Sequence, residues 1–328
     1  MASSMLEFGA MMPDPRMQGL VEIFTANSVM LKLLKFVESD TLAYRYNRDA
    51  ALPGIDFRAV NGVYPSQSYG ITNPEVETLA IFGGPVITDT QLANPKVRST
   101  KVAKKLQNAG LVFDYVCFWG NPSVNANQFN GLVARVGGSQ VISAGTNGGA
   151  MVVDAVVATQ DQTVGTDNSK KPLLMSKQSR RYLSSTVRAE ARGMGVFDAS
   201  GKQLVMFNDS PIVVFDELAT PQPPIPNNEN WGTATNATSI WCMSFGGDVD
   251  EENLQGIVKM NPVGPEKSPV GMGPDAVAAT GSPISYKNVG DFGEYYKDLV
   301  EAAMTIAPFH PRCVTRYAGL IAPETNPY

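Results

Sequence analysis

One histidine and three cysteines in 328 residues leave the chain poorly supplied for metal or covalent chemistry. A Ser-His-Asp or Cys-His catalyst would have to use His310, which sits in PFHPRC between two prolines and reads as a structural residue. Cys117, Cys242 and Cys313 are odd in number and far apart, so neither a disulfide framework nor a CxxC zinc site is written here. Their expected role is that of small buried hydrophobes. A phosphate-binding signature is missing too. GxGxxG is absent, and no Lys-Ser or Lys-Thr follows the glycines between Gly145 and Gly149, which read as turns between short strands. No metal and no cofactor is expected.

Also missing is an apolar run able to span a bilayer, since the best candidate, VMLKLLKFV, contains two lysines. The opening MASSMLEFGAMM lacks the basic region of a secretory signal, so a soluble product made in the cytosol, without a membrane partner, is expected. Basic charge is not in excess: 26 Lys+Arg against 31 Asp+Glu give a net charge of −5, which argues against a general nucleic-acid binder. No internal repeat is visible. What the chain does have is 43% apolar residues, enough for the core of one large or two ordinary domains. Its 30 glycines and 23 prolines imply many turns and extended loops.

The most informative stretch runs from Asn94 to Phe129. Asn94-Pro95 is a helix-start signal, and Val102, Leu106, Ala109, Phe113 and Val116 then recur at spacings that keep one apolar face. A helix from Pro95 to Phe118, roughly 36 Å long at about 1.5 Å per residue, ends at Gly120-Asn121-Pro122. It reads as a structural beam. Lys96, Arg98, Lys101, Lys104 and Lys105 crowd its first half with no acid until Asp114, an arrangement that opposes the helix dipole.

Along the rest of the chain, residues 1–13 are Met-rich and read as a mobile arm. Asp14-Pro15 opens a helix with Met17, Leu20, Val21 and Phe24 on one face, which breaks near Asn27-Ser28 and resumes through Leu31, Leu34 and Val37. It serves as either a core helix or an arm that packs on a neighbouring subunit. Residues 47–75 form a long polar and aromatic passage with short strands near Phe57 and Val63. Its Tyr64 and Tyr69 suit a contact surface. A strand at Leu79–Ile81 and a turn at Gly83-Gly84-Pro85 follow. Beyond the long helix the pattern predicts a helix over 154–164, a strand over 172–175 and a helix capped by Ser176. A hairpin over 203–215 turns at Asn208-Asp209, residues 219–238 read as a surface loop, and strands cover 239–245 and 254–260. Residues 261–290 are Pro/Gly-rich, and propensity alone would make Asp298–Met304 helical. Strands and helices alternate as in an α/β or α+β protein.

Taken in order, these segments resemble the major capsid protein of tailed double-stranded DNA bacteriophages, the Hong Kong-97-type (Johnson) fold. FRAVNGVYPSQSYGITNPEVETLAIFGG is similar to the family's extended E-loop and return strand. KVAKKLQNAGLVFDYVCFWGNPSVNANQFNGL resembles its spine helix and the passage after it, with Asn121 in place of an acidic residue and Asn130 before Gly131-Leu132. KPLLMSKQSRRYL, NDSPIVVFDE and EAAMTIAPFHPRCVTRYAGLIAP are like axial-domain and closing peripheral-domain segments. The resemblance covers roughly residues 55–322.

It implies an α+β fold with an N-terminal arm at 1–46 and an E-loop with flanking strands at 47–90. A peripheral domain with the spine helix would occupy 91–150 and 285–328, and an axial domain 151–284. The tail at 294–307 would be one long strand instead of a helix. The implied role is structural and not enzymatic: a homo-oligomer of pentamers and hexamers forming an icosahedral head, assembled in the bacterial host cytoplasm and found in the virion capsid. Portal, scaffold and cement proteins are the implied partners. Packaged double-stranded DNA would be enclosed without sequence-specific binding, and an acidic wall lets it slide. Inter-subunit contact is expected at Tyr64 and Tyr69, and Glu75 and Glu77 of one copy are expected to approach the basic face with Lys101, Lys104 and Lys105 of another. Some family members cross-link an E-loop lysine to a neighbour's asparagine. Here no lysine lies between Arg58 and Asn94, so no such bond is expected. An encapsulin-like nanocompartment shares the fold and is the alternative; an α/β enzyme is disfavoured by the single histidine and the absent phosphate loops.

Overall fold

The computed structural model describes residues 3–12, 15–47, 58, 60, 62, 74–90, 95–165, 167–189, 196–197, 203–204, 206–215, 223–246, 253–260 and 282–321. A short strand, β1 (Ser3–Ser4), leads into α1 (Met5–Ala10) through a reciprocal cap: Glu7 N donates to Ser4 Oγ at 3.3 Å and Ser4 N to the Glu7 carboxylate at 2.6 Å. These backbone and hydroxyl donors hold the Glu7 carboxyl below its ordinary range. Met5, Phe8 and Met12 are buried in the main core. The expectation of a mobile arm is corrected here: Met5, Phe8 and Met12 anchor this segment against the body of its own chain.

Pro15 opens α2 (Pro15–Ala26), which buries Val21 and Phe24, and α3 (Met30–Leu33) follows. The helix does not continue to Val37. That residue sits in β2 (Lys35–Ser39), where it pairs with Ile257 of a parallel neighbour. β3 (Ala43–Asn47) and β4 (Pro74–Thr78) pair antiparallel and bracket the long passage. The strands expected near Phe57 and Val63, and the residues Tyr64 and Tyr69, lie outside the described residues. β5 (Ala80–Asp89) runs straight through Gly83-Gly84-Pro85, where a turn was expected. Gly83 has φ +150°, and a Cβ on it would lie 2.0 Å from the Val300 carbonyl oxygen. The glycine permits close strand pairing and ends nothing.

The long helix is α4 (Pro95–Trp119), one residue beyond expectation, and α5 (Leu132–Arg135), β6 (Val141–Ser143) and α6 (Val153–Gln162) follow. β7 (Leu173–Ser176) ends at the serine that caps α7 (Lys177–Ala189), since Ser179 N donates to Ser176 Oγ at 3.1 Å. β8 (Val196–Phe197) pairs with β9 (Gln203–Leu204). β10 (Met206–Phe207) and β11 (Ser210–Phe215) form the expected hairpin, with Asn208 and Asp209 at φ +49° and +64° as its tight turn requires. β12 (Glu229–Trp231) and β13 (Ala234–Met243) occupy most of the second half of the expected surface loop at 219–238. β14 (Leu254–Lys259), β15 (Ile284–Asp291), β16 (Tyr295–Pro308) and β17 (Val314–Leu320) complete the chain. β15 enters the stretch expected to be Pro/Gly-rich loop. β16 is the long strand that the resemblance implied and propensity opposed.

Besides the two-stranded pairs β3–β4 and β8–β9, two large sheets form among the described residues. One runs β1-β2-β14-β16-β15, with β5 on the other edge of β16; the second runs β10-β11-β7-β13-β17-β6, with β12 on β13. This pairing crosses the expected boundaries: β14, from 151–284, joins β16, and β17, from the closing segment, joins β13. α4 serves both sheets. Phe113 stacks on Phe82 of β5 at 5.7 Å, and Phe118 meets Phe215 of β11 and Trp241 of β13 edge-on at 5.5 and 5.4 Å.

α2 lies so close to α4 that a Cβ on Gly110 would sit 2.5 Å from the Phe24 carbonyl oxygen. Gly110→Ala is therefore expected to destabilise the protein by about 1–3 kcal/mol, overriding the better helix propensity of alanine. Gly19→Ala in α2, with nothing within 4 Å of the new methyl, is expected to be neutral or stabilising. Thermal melts of the two variants check the contrast.

Candidate assembly surface

β5, β16 and β15 form a sheet with α4 packed on one face; on the other, Tyr46 of β3 and Leu79 cover the Ala307 end of β16, while Ile81 and Ile87 of β5 stay exposed. The covered face carries Val86 of β5 and Val300 of β16, both in the main core with Val102 and Leu106 of α4. It also carries a lock: Arg98 of α4 makes two hydrogen bonds, at 2.7 and 3.1 Å, to the fully buried Asp298 of β16. Tyr286 of β15 donates to the same carboxylate at 3.1 Å, and the Arg98 guanidinium lies 4.8 Å from the Tyr296 ring centre. One of the five basic residues on α4 is thus consumed within the chain. The open face is apolar at its centre and charged around it. Ile81 and Ile87, each 54% exposed, flank Pro85, which pairs with Leu299; Glu301 and Lys297 stand opposite Gly83 and Ile87.

The basic residues of α4 reach β5 from the covered side. Lys101 folds onto β5, its Nζ donating to the Ile87 carbonyl at 3.2 Å, and Lys105 approaches Gly84. Lys104 is exposed. Neither Lys104 nor Lys105 meets a carboxylate among the described residues.

Glu75 and Glu77, read from sequence as reaching another copy, sit in β4 beside the end of β16. Glu77 is buried and bound to Arg135 of α5 through two hydrogen bonds, one of them at 2.6 Å. The Tyr46 hydroxyl donates to Glu75 at 2.8 Å and lies 3.3 Å from Glu77. Burial, with Glu77 and Glu75 alongside, pushes the Tyr46 phenol far up. Glu77 is therefore paired within its own chain. The group borders a cavity of about 340 Å³ lined also by Gln140, Pro308 and Pro311.

Two buried groups escaped the sequence reading. Arg316 of β17 donates to Glu229 of β12 at 2.7 Å and to Ser239 Oγ at 2.9 and 3.0 Å. Its guanidinium lies 5.0 to 6.0 Å from the rings of Trp241, Trp231 and Trp119, the full tryptophan complement of the chain. Glu229 lay hidden in a Pro/Asn/Thr-rich stretch whose one clue was Trp231. The second is Asp114 on the inner side of α4. It accepts hydrogen bonds from the Ser28 hydroxyl, from Val29 N at 2.8 Å and from Met30 N at 3.1 Å, and so caps α3. Its place on the helix, one position past Phe113, reads as polar surface unless the capping partner is known.

The three cysteines are buried, and burial pushes the Cys242 thiol up to about 11. His310 Nδ1 accepts from Arg312 N at 3.0 Å, a local structural bond. Among the described residues no group of three or more His, Cys, Asp and Glu could hold a metal ion, and no helix is long and apolar enough to cross a membrane.

The sequence matches no protein-family model and no curated protein. Its structure matches solved shells over nearly its whole length. The encapsulin of a holo-SrpI complex from Synechococcus elongatus PCC 7942 superposes with a TM-score of 0.60 at 13% identity, over 91% of this chain and 89% of the other. The cyanophage A-1(L) capsid gives 0.58 at 12% identity over 90% and 93%. The capsid of a native GTA particle gives 0.57 at 10% identity over 89% of each chain. The chain has the Hong Kong-97-type capsid fold.

Two predictions follow from the buried groups. Arg135→Met strands the Glu77 carboxylate and is expected to cost about 3–5 kcal/mol, while Arg135→Met with Glu77→Met recovers most of that loss; denaturant unfolding of both variants measures it. For Asp114, burial outweighs the three donors and lifts the carboxyl from 3.8 to about 7. Between those values the folded chain holds a proton that the unfolded chain has released. The contribution to stability is therefore fullest in acid and is lost as pH rises through about 7. Thermal melts from acid to mildly alkaline pH should show wild type losing stability relative to Asp114→Asn; parallel curves would contradict this.

Proposed function

We propose that this chain is the major capsid protein of a tailed double-stranded DNA bacteriophage, and that copies tile as pentamers and hexamers into an icosahedral head. The observation that carries the reading is the extent of the fold match: about nine-tenths of this chain and about nine-tenths of each shell protein correspond, so the likeness takes in the whole subunit. The open face of β5, β16 and β15 supports it, because an apolar strip with a charged border is surface that a single copy leaves uncovered.

In this reading α4 is the spine helix, β3, β4 and the passage between them belong to the E-loop, and the six-stranded sheet with α4 makes the peripheral domain. The seven-stranded sheet with α6 and α7 makes the axial domain. Glu75 and Glu77 of one copy approach Lys101, Lys104 and Lys105 of the next, and Tyr64 and Tyr69 belong to the contact surface. Portal, scaffold and cement proteins and the packaged DNA are further partners, and assembly takes place in the host cytoplasm.

A nanocompartment shell is the second reading, favoured by the match to an encapsulin. The contents separate the two: a head holds DNA and a nanocompartment holds protein cargo. Electron microscopy of the purified protein is expected to give closed icosahedral shells; a dispersed monomer at high concentration would overturn both readings. Boiled shells should run as a single monomer band on a denaturing gel, because no E-loop lysine is present for a cross-link. A ladder of multimers would contradict that expectation.

A further inference from the structure

The chain is acidic overall, yet its cations are unevenly spread. Residues 170–192 contain Lys170, Lys171, Lys177, Arg180, Arg181, Arg188 and Arg192 against one acid, Glu190. Most of this charge falls on α7, which has no acidic residue of its own. Leu183 and Val187 are buried against the seven-stranded sheet and α6, and fix which side of the helix faces out. The outward side presents Lys177, Arg180, Arg181, Ser184 and Ser185, without an apolar residue among them. Neither Arg180 nor Arg181 has a carboxylate within ion-pair distance among the described residues.

We infer that this face of α7 is where the chain touches the phosphate backbone of double-stranded DNA, an inference that rests on the capsid reading above. The chemistry selects a polyanion over another protein. A protein interface needs aromatic or aliphatic anchors at its centre. Here Tyr182, the aromatic on this helix, is turned to the body, its hydroxyl accepting from Met151 N at 3.2 Å. Ser185 is tied back to the Tyr182 carbonyl at 2.7 Å, so the arginines are left to make the contact. A planar guanidinium meets a phosphate with two parallel donors and reads no base. The neighbouring α6 carries Asp154 and Asp161, which keep the local field weak. Contact of this kind is loose and independent of sequence, as a wall that must let packaged DNA slide requires.

The test uses the full-length protein and a random-sequence DNA duplex, with binding followed by fluorescence anisotropy from about 50 to 200 mM salt. Wild type is expected to bind weakly, with affinity falling steeply as salt rises. Arg180→Gln with Arg181→Gln should bind more weakly throughout, with the slope of log affinity against log salt reduced by about 1.8, roughly 0.9 per phosphate contact. Arg180→Lys with Arg181→Lys should retain most of the binding, which controls for folding. Lys32→Gln with Arg45→Gln, removing equal charge elsewhere, should leave the slope unchanged. Equal loss from both charge-removing pairs, or no loss from the α7 pair, overturns the proposal. Shell yield from the α7 glutamine variant is expected to match wild type. A loss of shells with DNA binding intact would make α7 a contact between copies and overturn the proposal. Failure of wild type itself to form shells would strike the capsid reading, independently of the binding result.

Discussion

The apolar stripe of α4 is the constraint on which the molecule depends. A rod of about 37 Å, at about 1.5 Å per residue, lies across two sheets that share few direct hydrogen bonds. Phe113 grips the first sheet through Phe82 and Phe36, and Phe118 grips the second through Phe215 and Trp241. Burial of one such aromatic side chain is worth about 1.5–3 kcal/mol, so the two phenylalanines together supply a sizeable part of what holds the sheets in one body. β16 does the complementary work within the first sheet, pairing with β5 along one edge and with β14 and β15 along the other.

Around this frame the buried ion pairs act as fasteners that set geometry more than they add stability. Taking an arginine and a carboxylate out of water costs about as much as their attraction returns, but removing one partner leaves an expensive stranded charge. Each pair ties elements distant in sequence. Arg98–Asp298 sets α4 on β16, Arg135–Glu77 sets the β3–β4 hairpin beside α5, and Arg316–Glu229 closes β12 over β17. In the proposed shell such fixed angles would matter, because errors in one subunit accumulate around a closed assembly.

Much of the frame was legible in the sequence because its signals are local. α4, the Asn208-Asp209 hairpin and the Ser176 cap follow from periodicity, turn chemistry and capping. β16 was legible only through resemblance: YYKDLVEAAM favours a helix by propensity, and the pairing that overrides it comes from β5, more than 200 positions earlier. The misreadings share that cause. Gly83 and Gly84 look like a turn until the close approach of Val300 is known. The segment from Ser3 to Met12 looks like a loose arm until the pocket for Met5 and Phe8 exists. Of the residues expected to contact other copies, Lys101 and Lys105 lie against β5 and Lys104 is exposed on the same helix. Glu77 did not reveal its use, because Arg135 reaches it only through the fold.

The central claim is that the exposed face of β5, and its edge away from β16, which pairs with no strand among the described residues, are completed by another copy while α4 and β16 already form a finished body. Hydrogen–deuterium exchange on unassembled and assembled protein tests this most directly. Amides of β5 on the edge away from β16 should gain strong protection on assembly, with β16 and the apolar half of α4 equally protected in both states. Identical exchange of β5 before and after assembly would contradict the claim.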